Sequence, residues 1–141
     1  MRVDSIKNGI VIDHIIAGKA MQIYNMLELD KLSCSVALLM RVPSKLMGTK
    51  DIIKIDEDIE LNFGALAYVS PNVTVNIIRD GILLEKKNIE LPLTLTDVIR
   101  CKNPRCITTT EQEIHHIFHL TDAKKGVYRC AYCDTASDKK F

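Results

Sequence analysis

The sequence predicts an α+β fold in two domains, a larger one with an antiparallel sheet and two helices and a small all-β one held together by cysteines. Segments with the periodicity of strands and of helices alternate along the chain as far as Lys87. The dipeptide Asp80-Gly81, between two β-branched runs, favours a tight hairpin turn. Further along, four of the five cysteines form two closely spaced pairs.

The larger domain takes its predicted topology from its pattern of apolar residues. Short apolar or alternating runs bounded by turn residues predict strands over 9–16, 33–42, 50–56, 74–79 and 82–87. Apolar residues at helical spacing predict helices over 19–29 and 58–69. The order strand, helix, strand, strand, helix, strand is that of the ferredoxin-like, split βαβ fold, with one extra hairpin strand. Both helices then cover one face, which leaves the other face or an edge for a second copy of the chain.

Length and composition restrict the class of protein. A chain of 141 residues with 47% hydrophobic residues forms one domain or two small ones. No apolar stretch approaches the roughly 18–20 residues of a transmembrane helix, and the N-terminus lacks the pattern of a signal peptide. We therefore expect a cytoplasmic protein with no membrane partner. Nineteen basic and eighteen acidic residues give a charge of +1, which argues against general nucleic-acid binding.

The cysteine spacing predicts one structural Zn²⁺ bound by Cys101, Cys106, Cys130 and Cys133. Four residues separate the first pair, two separate the second, and 23 lie between the pairs. Such pairs supply four thiolates to a tetrahedral site that has no open position for water or substrate. Two disulfides, or unrelated cysteines, are the alternatives, but zinc thiolates suit a reducing compartment better. The segment after Cys101 has too few apolar residues to fold by burial alone, so the metal supplies folding energy.

The charge of the cysteine segment predicts a protein partner rather than a nucleic acid. From Cys101 onward there are seven basic and five acidic side chains, a net charge of +2, and four thiolates around one Zn²⁺ add −2. A zinc ribbon that binds nucleic acid normally has a basic patch. Because four thiolates fill the site, His115, His116 and His119 are interpreted as strand or loop residues.

Lysines in the third predicted strand indicate an anion site. Lys50 and Lys54 point to the same face and lie about 13 Å apart at about 3.3 Å per residue, so they can hold different parts of a nucleotide. Taken alone, they are more simply two solvated lysines. Asp13 and His14 interrupt an apolar run and can add hydrogen bonds, although a satisfied polar pair at a strand edge is the alternative. Lys86 and Lys87, which close the last strand, can add a phosphate contact or be an ordinary solvated charge pair. The sequence has no P-loop, nucleotide-fold glycine motif or Ser/His/Asp arrangement, so no catalysis is predicted.

Several stretches together resemble the regulatory chain of aspartate carbamoyltransferase. They are Val-Ile-Asp-His-Ile at 11–15, Met-Gly-Thr-Lys-Asp-Ile-Ile-Lys-Ile at 47–55, Thr-Val-Asn at 74–76 and the four paired cysteines. The resemblance implies a non-catalytic allosteric subunit that acts in pyrimidine biosynthesis. It implies an N-terminal domain, 1–94, that binds nucleotide effectors and forms a homodimer. It also implies a zinc domain, 95–141, that docks on the catalytic chain. In such relatives CTP inhibits and ATP activates.

The resemblance also assigns individual residues. It places Asp13 and His14 by the base or ribose, and Lys54 near both. Lys50 and Lys86 fall by the phosphates. The base pocket and an effector-site asparagine correspond to Val3, Asp4, Ile6, Val11 and Asn76. The contacts with the catalytic chain correspond to Asn103, Arg105 and Asp134.

Two other functions compete with this interpretation. A stand-alone transcriptional regulator would sense a small ligand in its first domain and contact nucleic acid through its zinc ribbon. The near-neutral zinc segment counts against it. An enzyme that uses Cys34 or His14 is the third possibility, but Cys34 lies in an apolar run and is more simply a buried small hydrophobe.

Overall fold

A computed structural model describes residues 5–137, which fall into two compact units divided between Glu90 and Leu91. In the first unit the elements are β1 (Gly9–Ile16), α1 (Ala20–Met26), a 3₁₀ turn (Leu29–Lys31), β2 (Val36–Ser44), β3 (Gly48–Ile55), α2 (Phe63–Val69), β4 (Thr74–Arg79) and β5 (Ile82–Asn88). The strands form one antiparallel sheet in the order β2-β3-β1-β4-β5. This is the ferredoxin-like order with β5 added beside β4, so the predicted fold class is confirmed.

One face of this sheet forms the core of the first unit. In β3 the side chains of Asp51, Ile53 and Ile55 are buried, whereas Lys50, Ile52 and Lys54 are only half-buried. This alternation follows from the two-residue period of a strand and agrees with the predicted faces. Both helices pack on the buried face, since Ile23 of α1 and Leu66 of α2 belong to the same apolar cluster as the buried isoleucines.

The helices are shorter than their apolar patterns predicted. The second was expected from 58 but begins at Phe63, because the Asn62 side chain accepts a hydrogen bond from Ala65 N at 3.1 Å and caps it there. The first was expected to reach 29 but ends at Met26, and Glu28 then adopts a left-handed φ of 54°.

The second predicted strand is displaced along the chain. It begins at Val36 rather than 33 and continues through Pro43 to Ser44. Proline cannot donate a ladder hydrogen bond, but β2 is an edge strand, where a residue without N–H is tolerated.

The second unit is small and mostly β-structure, as predicted. It contains β6 (Thr94–Thr96), α3 (Ile107–Thr110), β7 (Ile117–Asp122) and β8 (Val127–Cys130), with an antiparallel sheet in the order β6-β7-β8. Its core contains Leu95, Phe118 and Tyr128, and the Tyr128 hydroxyl donates to the Pro92 carbonyl at 2.6 Å. The helical turn α3 was not predicted. The predicted domain boundary near Leu95 lies within β6, whose pairing with β7 begins at Thr94.

Across residues 5–137, no helix has both the length and the apolar character needed to cross a membrane.

Candidate effector face and metal centre

Four of the predicted effector residues form a row across the sheet face opposite the helices. Lys54 in β3 pairs with Val11 in β1, Val11 pairs with Asn76 in β4, and Asn76 pairs with Lys86 in β5. Residues paired directly across antiparallel strands point to the same face. At about 4.8 Å per strand, the row spans about 14 Å. We call it the effector row: it has an ammonium group at each end, with an apolar and an amide side chain between them.

The amide of Asn76 has an unused acceptor. Its Oδ1 is buried and has no hydrogen-bond partner among the residues that the structure describes. A buried acceptor without a donor costs about 1–3 kcal/mol, so such atoms are rare unless a bound group satisfies them. Asn76 therefore has an unsatisfied acceptor at the centre of the effector row.

A β-bulge explains the two polar residues within the apolar run of β1. Between Ile12, which pairs with Ile53, and Ile15, which pairs with Asp51, β1 has one more residue than β3. The extra residue shifts the alternation, so Ile12 and Ile15 are both fully buried. His14 has a left-handed φ of 58°. The bulge thus keeps Asp13 and His14 out of the core without exposing the isoleucines on either side.

Hydrogen bonds and an ion pair hold these two residues in place. Asp13 Oδ1 lies 2.9 Å from Lys50 Nζ and accepts the His14 amide at 2.7 Å. The His14 ring is fixed in turn, with Nδ1 2.7 Å from the Thr74 hydroxyl. Burial alone would raise the pKa of Asp13, but the hydrogen bonds from Lys50 and His14 outweigh it, and the pKa lies below its ordinary value of 3.8. Asp13 is therefore ionised at neutral pH.

Two cavities border the predicted effector residues. One of about 610 Å³ lies beside His14 and Lys86 and is also lined by Leu46, Met47, Asn72, Thr74 and Asn88. The other, of about 350 Å³, lies beside Ile6 and Lys54 and is also lined by Ser5, Ser35, Val36, Ala37 and Asp56. The two lysines at the ends of the effector row thus border different cavities. Val3 and Asp4, also predicted for this site, lie outside the described residues.

Sequence reasoning missed the polar lining of the larger cavity. Thr74, Asn72 and Asn88 line it together with His14 and Lys86. Thr74 opens the Thr-Val-Asn stretch, and the register of β4 with β5 pairs it with Asn88. The sequence signal that could have found Asn88 is its pairing with Thr74 across β4 and β5. That pairing follows from the hairpin at Asp80-Gly81 once the bulge between Ile77 and Ile78 is known.

In the second unit, the four predicted cysteines form the metal centre. All four Sγ atoms lie within 4.8 Å of one another, with Cys101 Sγ 3.5 Å from Cys133 Sγ and Cys106 Sγ 3.7 Å from Cys130 Sγ. A disulfide bond is about 2.05 Å long, so these cysteines are not oxidised pairs. Zn–S bonds of about 2.3 Å in a tetrahedron separate the sulfurs by about 3.8 Å, which fits. The predicted single structural zinc site is confirmed.

Local hydrogen bonds shape the turns that present these thiols. Asn103 Oδ1 accepts Arg105 N at 3.0 Å and its carbonyl accepts Cys106 N at 3.1 Å, which closes the first turn. Thr108 and Thr135 place hydroxyls 3.1 Å from the sulfurs of Cys106 and Cys133. The hydroxyl of Thr135 lowers the pKa of the metal-free Cys133 thiol to about 6, whereas burial raises that of Cys101 to about 12. Such hydroxyls orient ligands and stabilise thiolates around a metal.

The three histidines between the cysteine pairs lie outside the sulfur cluster, and one of them contacts a cysteine. His116 Nδ1 accepts the Cys101 amide at 3.3 Å, and His115 Nδ1 lies 2.7 Å from Asp97 Oδ2. His119 lies in β7, where it contacts the Thr94 hydroxyl. Of the three residues predicted to touch a catalytic chain, Asn103 is half-buried, while Arg105 and Asp134 are exposed.

The geometry defines a protein whose first unit has a sheet face with a lysine at each end of a row of side chains, and whose second unit has a four-cysteine metal site with no open position. Comparison with known proteins places it more narrowly. The chain belongs to the aspartate carbamoyltransferase regulatory chain family. The model of that family's allosteric domain matches residues 1–90, and the model of its metal-binding domain matches residues 94–140.

Whole-chain relatives agree with both matches. An aspartate carbamoyltransferase regulatory chain from Clostridium tetani is 50% identical over 135 residues, which cover 95% of this chain and 94% of the relative. One from Clostridium botulinum is 46% identical, with 95% and 92% covered. One from Bifidobacterium longum is 43% identical, with 95% and 96% covered. The chain is thus a regulatory, non-catalytic subunit, and the matches give no support to a stand-alone transcriptional regulator.

Proposed function

We propose that this regulatory subunit binds a nucleotide of the CTP and ATP class across the effector row and passes the signal to the catalytic chain of aspartate carbamoyltransferase. The observation that carries the proposal is the buried, unpartnered Oδ1 of Asn76 between Lys54 and Lys86. A ligand that satisfies this site needs a donor at its centre and negative charge toward at least one lysine. A nucleotide has both, since its base or ribose donates hydrogen bonds and its phosphates are anionic.

The proposed orientation follows from the two cavities. Lys86 and the polar side chains of the larger cavity suit the phosphates, and Lys50 lies at the same side of the sheet beside Asp13. The base and ribose then fall toward Lys54, Ile6 and Val11, where the smaller cavity has an apolar wall. The ionised Asp13 carboxylate and the His14 ring can accept hydrogen bonds from the ribose or the base.

The proposal includes a homodimer through the first unit. Within residues 5–137, the outer sides of β2 and β5 are not paired with another strand. If a nucleotide occupies the open face, these edges are the remaining sheet surfaces for a second copy. Sedimentation equilibrium of the full chain is expected to give twice the monomer mass, and a monomer at micromolar concentration would contradict this part of the proposal.

The proposed contact with the catalytic chain lies at the turns that hold the zinc. The first turn presents Asn103 and Arg105, and the second presents Asp134. Two large apolar side chains close in sequence to these turns, Ile107 and Tyr132, are 47% and 48% exposed. Apolar or aromatic residues within a polar rim are the usual composition of a protein interface. Such a complex forms in the cytoplasm, where thiolates stay reduced.

The test is a reconstitution with catalytic trimers from the same source. Carbamoyl-aspartate formation is followed against aspartate concentration, with and without the full zinc-loaded chain and with and without CTP or ATP. We expect the chain to change the saturation curve and nucleotides to change it further. A curve unaffected by the bound chain would overturn the regulatory role. A curve that changes with the chain but not with any nucleotide would overturn the effector site alone.

A further inference from the structure

A buried carboxylate lies beneath the proposed effector site. Asp51 is fully buried in β3, between Lys50 and Ile52, and its side chain points away from the sheet face that carries the effector row. Asp51 Oδ2 accepts the amides of Gly18 at 2.8 Å and Ala20 at 3.0 Å, and Oδ1 accepts the amide of Arg41 at 2.8 Å. A polar group in a core is retained only where hydrogen bonds compensate its burial, and here backbone donors from two other segments do so.

One donor, Arg41, lies in β2, and the other two lie in the turn after β1 and at the start of α1. The strands on either side of β3, β1 and β2, both have a bulge at this level. In β2 a bulge places two residues, Met40 and Arg41, opposite the single residue Asp51. The pairs on either side are Leu39 with Ile52 and Val42 with Lys50. Arg41 has a left-handed φ of 57°, and its amide donates to the Asp51 carboxylate. A bulge leaves a ladder donor unpaired, so a side-chain acceptor is needed there.

In β1, Asp51 holds the segment that follows the other bulge. Ile15 pairs with Asp51 directly after Asp13 and His14, and the chain then turns at Gly18 into α1. Lys19, the N-cap residue of α1, makes no side-chain capping hydrogen bond, and the Asp51 carboxylate accepts the first helical amide instead. The chain is therefore fixed on both sides of the β1 bulge. Before the bulge, Ile12 is packed in the core, and after Ile15 the Asp51 carboxylate accepts the amides of Gly18 and Ala20.

We propose that Asp51 is the positioning residue of the effector site. By fixing both bulges and the start of α1, it sets the direction of Asp13, His14 and Lys50 without touching the nucleotide. The inference rests on the proposed function, because it concerns how that site is held. It predicts that the Asp51 carboxylate controls effector affinity from the opposite face of the sheet.

The test is Asp51→Asn in the full zinc-loaded chain, which keeps the shape but places an amide NH₂ against backbone donors. We expect CTP and ATP to bind roughly tenfold or more weakly by titration calorimetry, because at least one charge-assisted bond is lost. The amides of His14, Gly18 and Arg41 should exchange hydrogen faster, and the zinc content should be unchanged. The matched control is Ile53→Val on the same strand and face, which should lower the Tm without changing nucleotide affinity.

A second measurement needs no variant and covers the case in which Asp51→Asn does not fold. In the parent chain, saturation with CTP should slow hydrogen exchange at Gly18 and Arg41, which lie outside the proposed nucleotide contacts, more than at Leu66 and Ala67 of α2. Parental affinity in a folded Asp51→Asn chain, or no selective slowing at Gly18 and Arg41, would overturn the inference while the effector site stands. A parent chain that binds neither nucleotide would overturn the effector site, and the inference with it.

Discussion

At the scale of single residues, Lys54 is the most direct probe of the effector row. Lys54→Ala removes one of its two terminal charges, and the side chain is only half-buried, so the fold should persist. We expect CTP and ATP affinity to fall about tenfold or more, since hydrogen bonds to charged groups are worth about 1.5–3 kcal/mol. Titration calorimetry measures this. Lys31→Ala, which breaks only an exposed ion pair with Glu28, is the control; equal affinities in Lys54→Ala and the parent would refute the assignment.

A second residue-scale prediction concerns acid. Folding lowers the pKa of Asp13 below its ordinary value of 3.8. The ionised carboxylate therefore stabilises the native state at pH values above that ordinary pKa. That stabilisation is lost as the pH falls through the lower, folded value. Asp13→Asn should therefore destabilise the chain at pH 7 and much less near pH 2, as measured by urea unfolding at each pH. A pH-independent difference between the two proteins would show that the Lys50 ion pair contributes nothing.

The same residues show what sequence reasoning could reach. The polar character of Asp13 and His14 within an apolar run was visible, and so was the common face of Lys50 and Lys54. The bulge was not, because it depends on how many residues two strands place between the same pair of ladder contacts. Nor were the hydrogen bonds of Asp51 visible, because their donors lie in other segments of the chain.

At the scale of elements, strands were easier to predict than helices. The bounds of β1 and β4 follow from clear β-branched runs between turn residues, and the structure reproduces them. The start of α2 was misplaced, because apolar residues at helical spacing precede Asn62, whose capping bond decides where the helix begins. The spacing of apolar residues indicates which face of a helix is buried, whereas the residue at which the helix begins depends on one local capping hydrogen bond.

The zinc module gives the prediction that belongs to this scale. Cys130→Ser should release the metal and unfold the second unit, because zinc contributes about 10–16 kcal/mol of apparent binding energy to such sites. The first unit has its own core and should stay folded. Zinc content by mass spectrometry and co-elution with catalytic trimers measure the outcome. Cys34→Ser, which alters the cysteine outside the cluster, should keep both properties. If a zinc-free Cys130→Ser chain still co-elutes with catalytic trimers, the proposal that the zinc unit contacts the catalytic chain is contradicted.

At the scale of the whole molecule, regulation requires coupling between effector and active sites. Typical couplings of about 1–3 kcal/mol change affinity about 5–150-fold, and for binding the effect is reciprocal. A stable substrate analogue that saturates the catalytic chains should therefore change CTP affinity by the factor with which CTP changes analogue affinity. Calorimetry on the reconstituted holoenzyme measures both factors. If saturation with the analogue leaves CTP affinity unchanged, the effector and active sites are not coupled.

The effector row also limits how ligand preference can evolve. The hydrogen bonds of the sheet hold Lys54 and Lys86 three strands apart, so the distance between their backbone positions is fixed in steps of about 4.8 Å. No point mutation can lengthen the distance between those two backbone positions by a fraction of a step. Selection for a shorter or longer ligand along the row must therefore act on side-chain length at the two ends, or move a lysine by a whole strand.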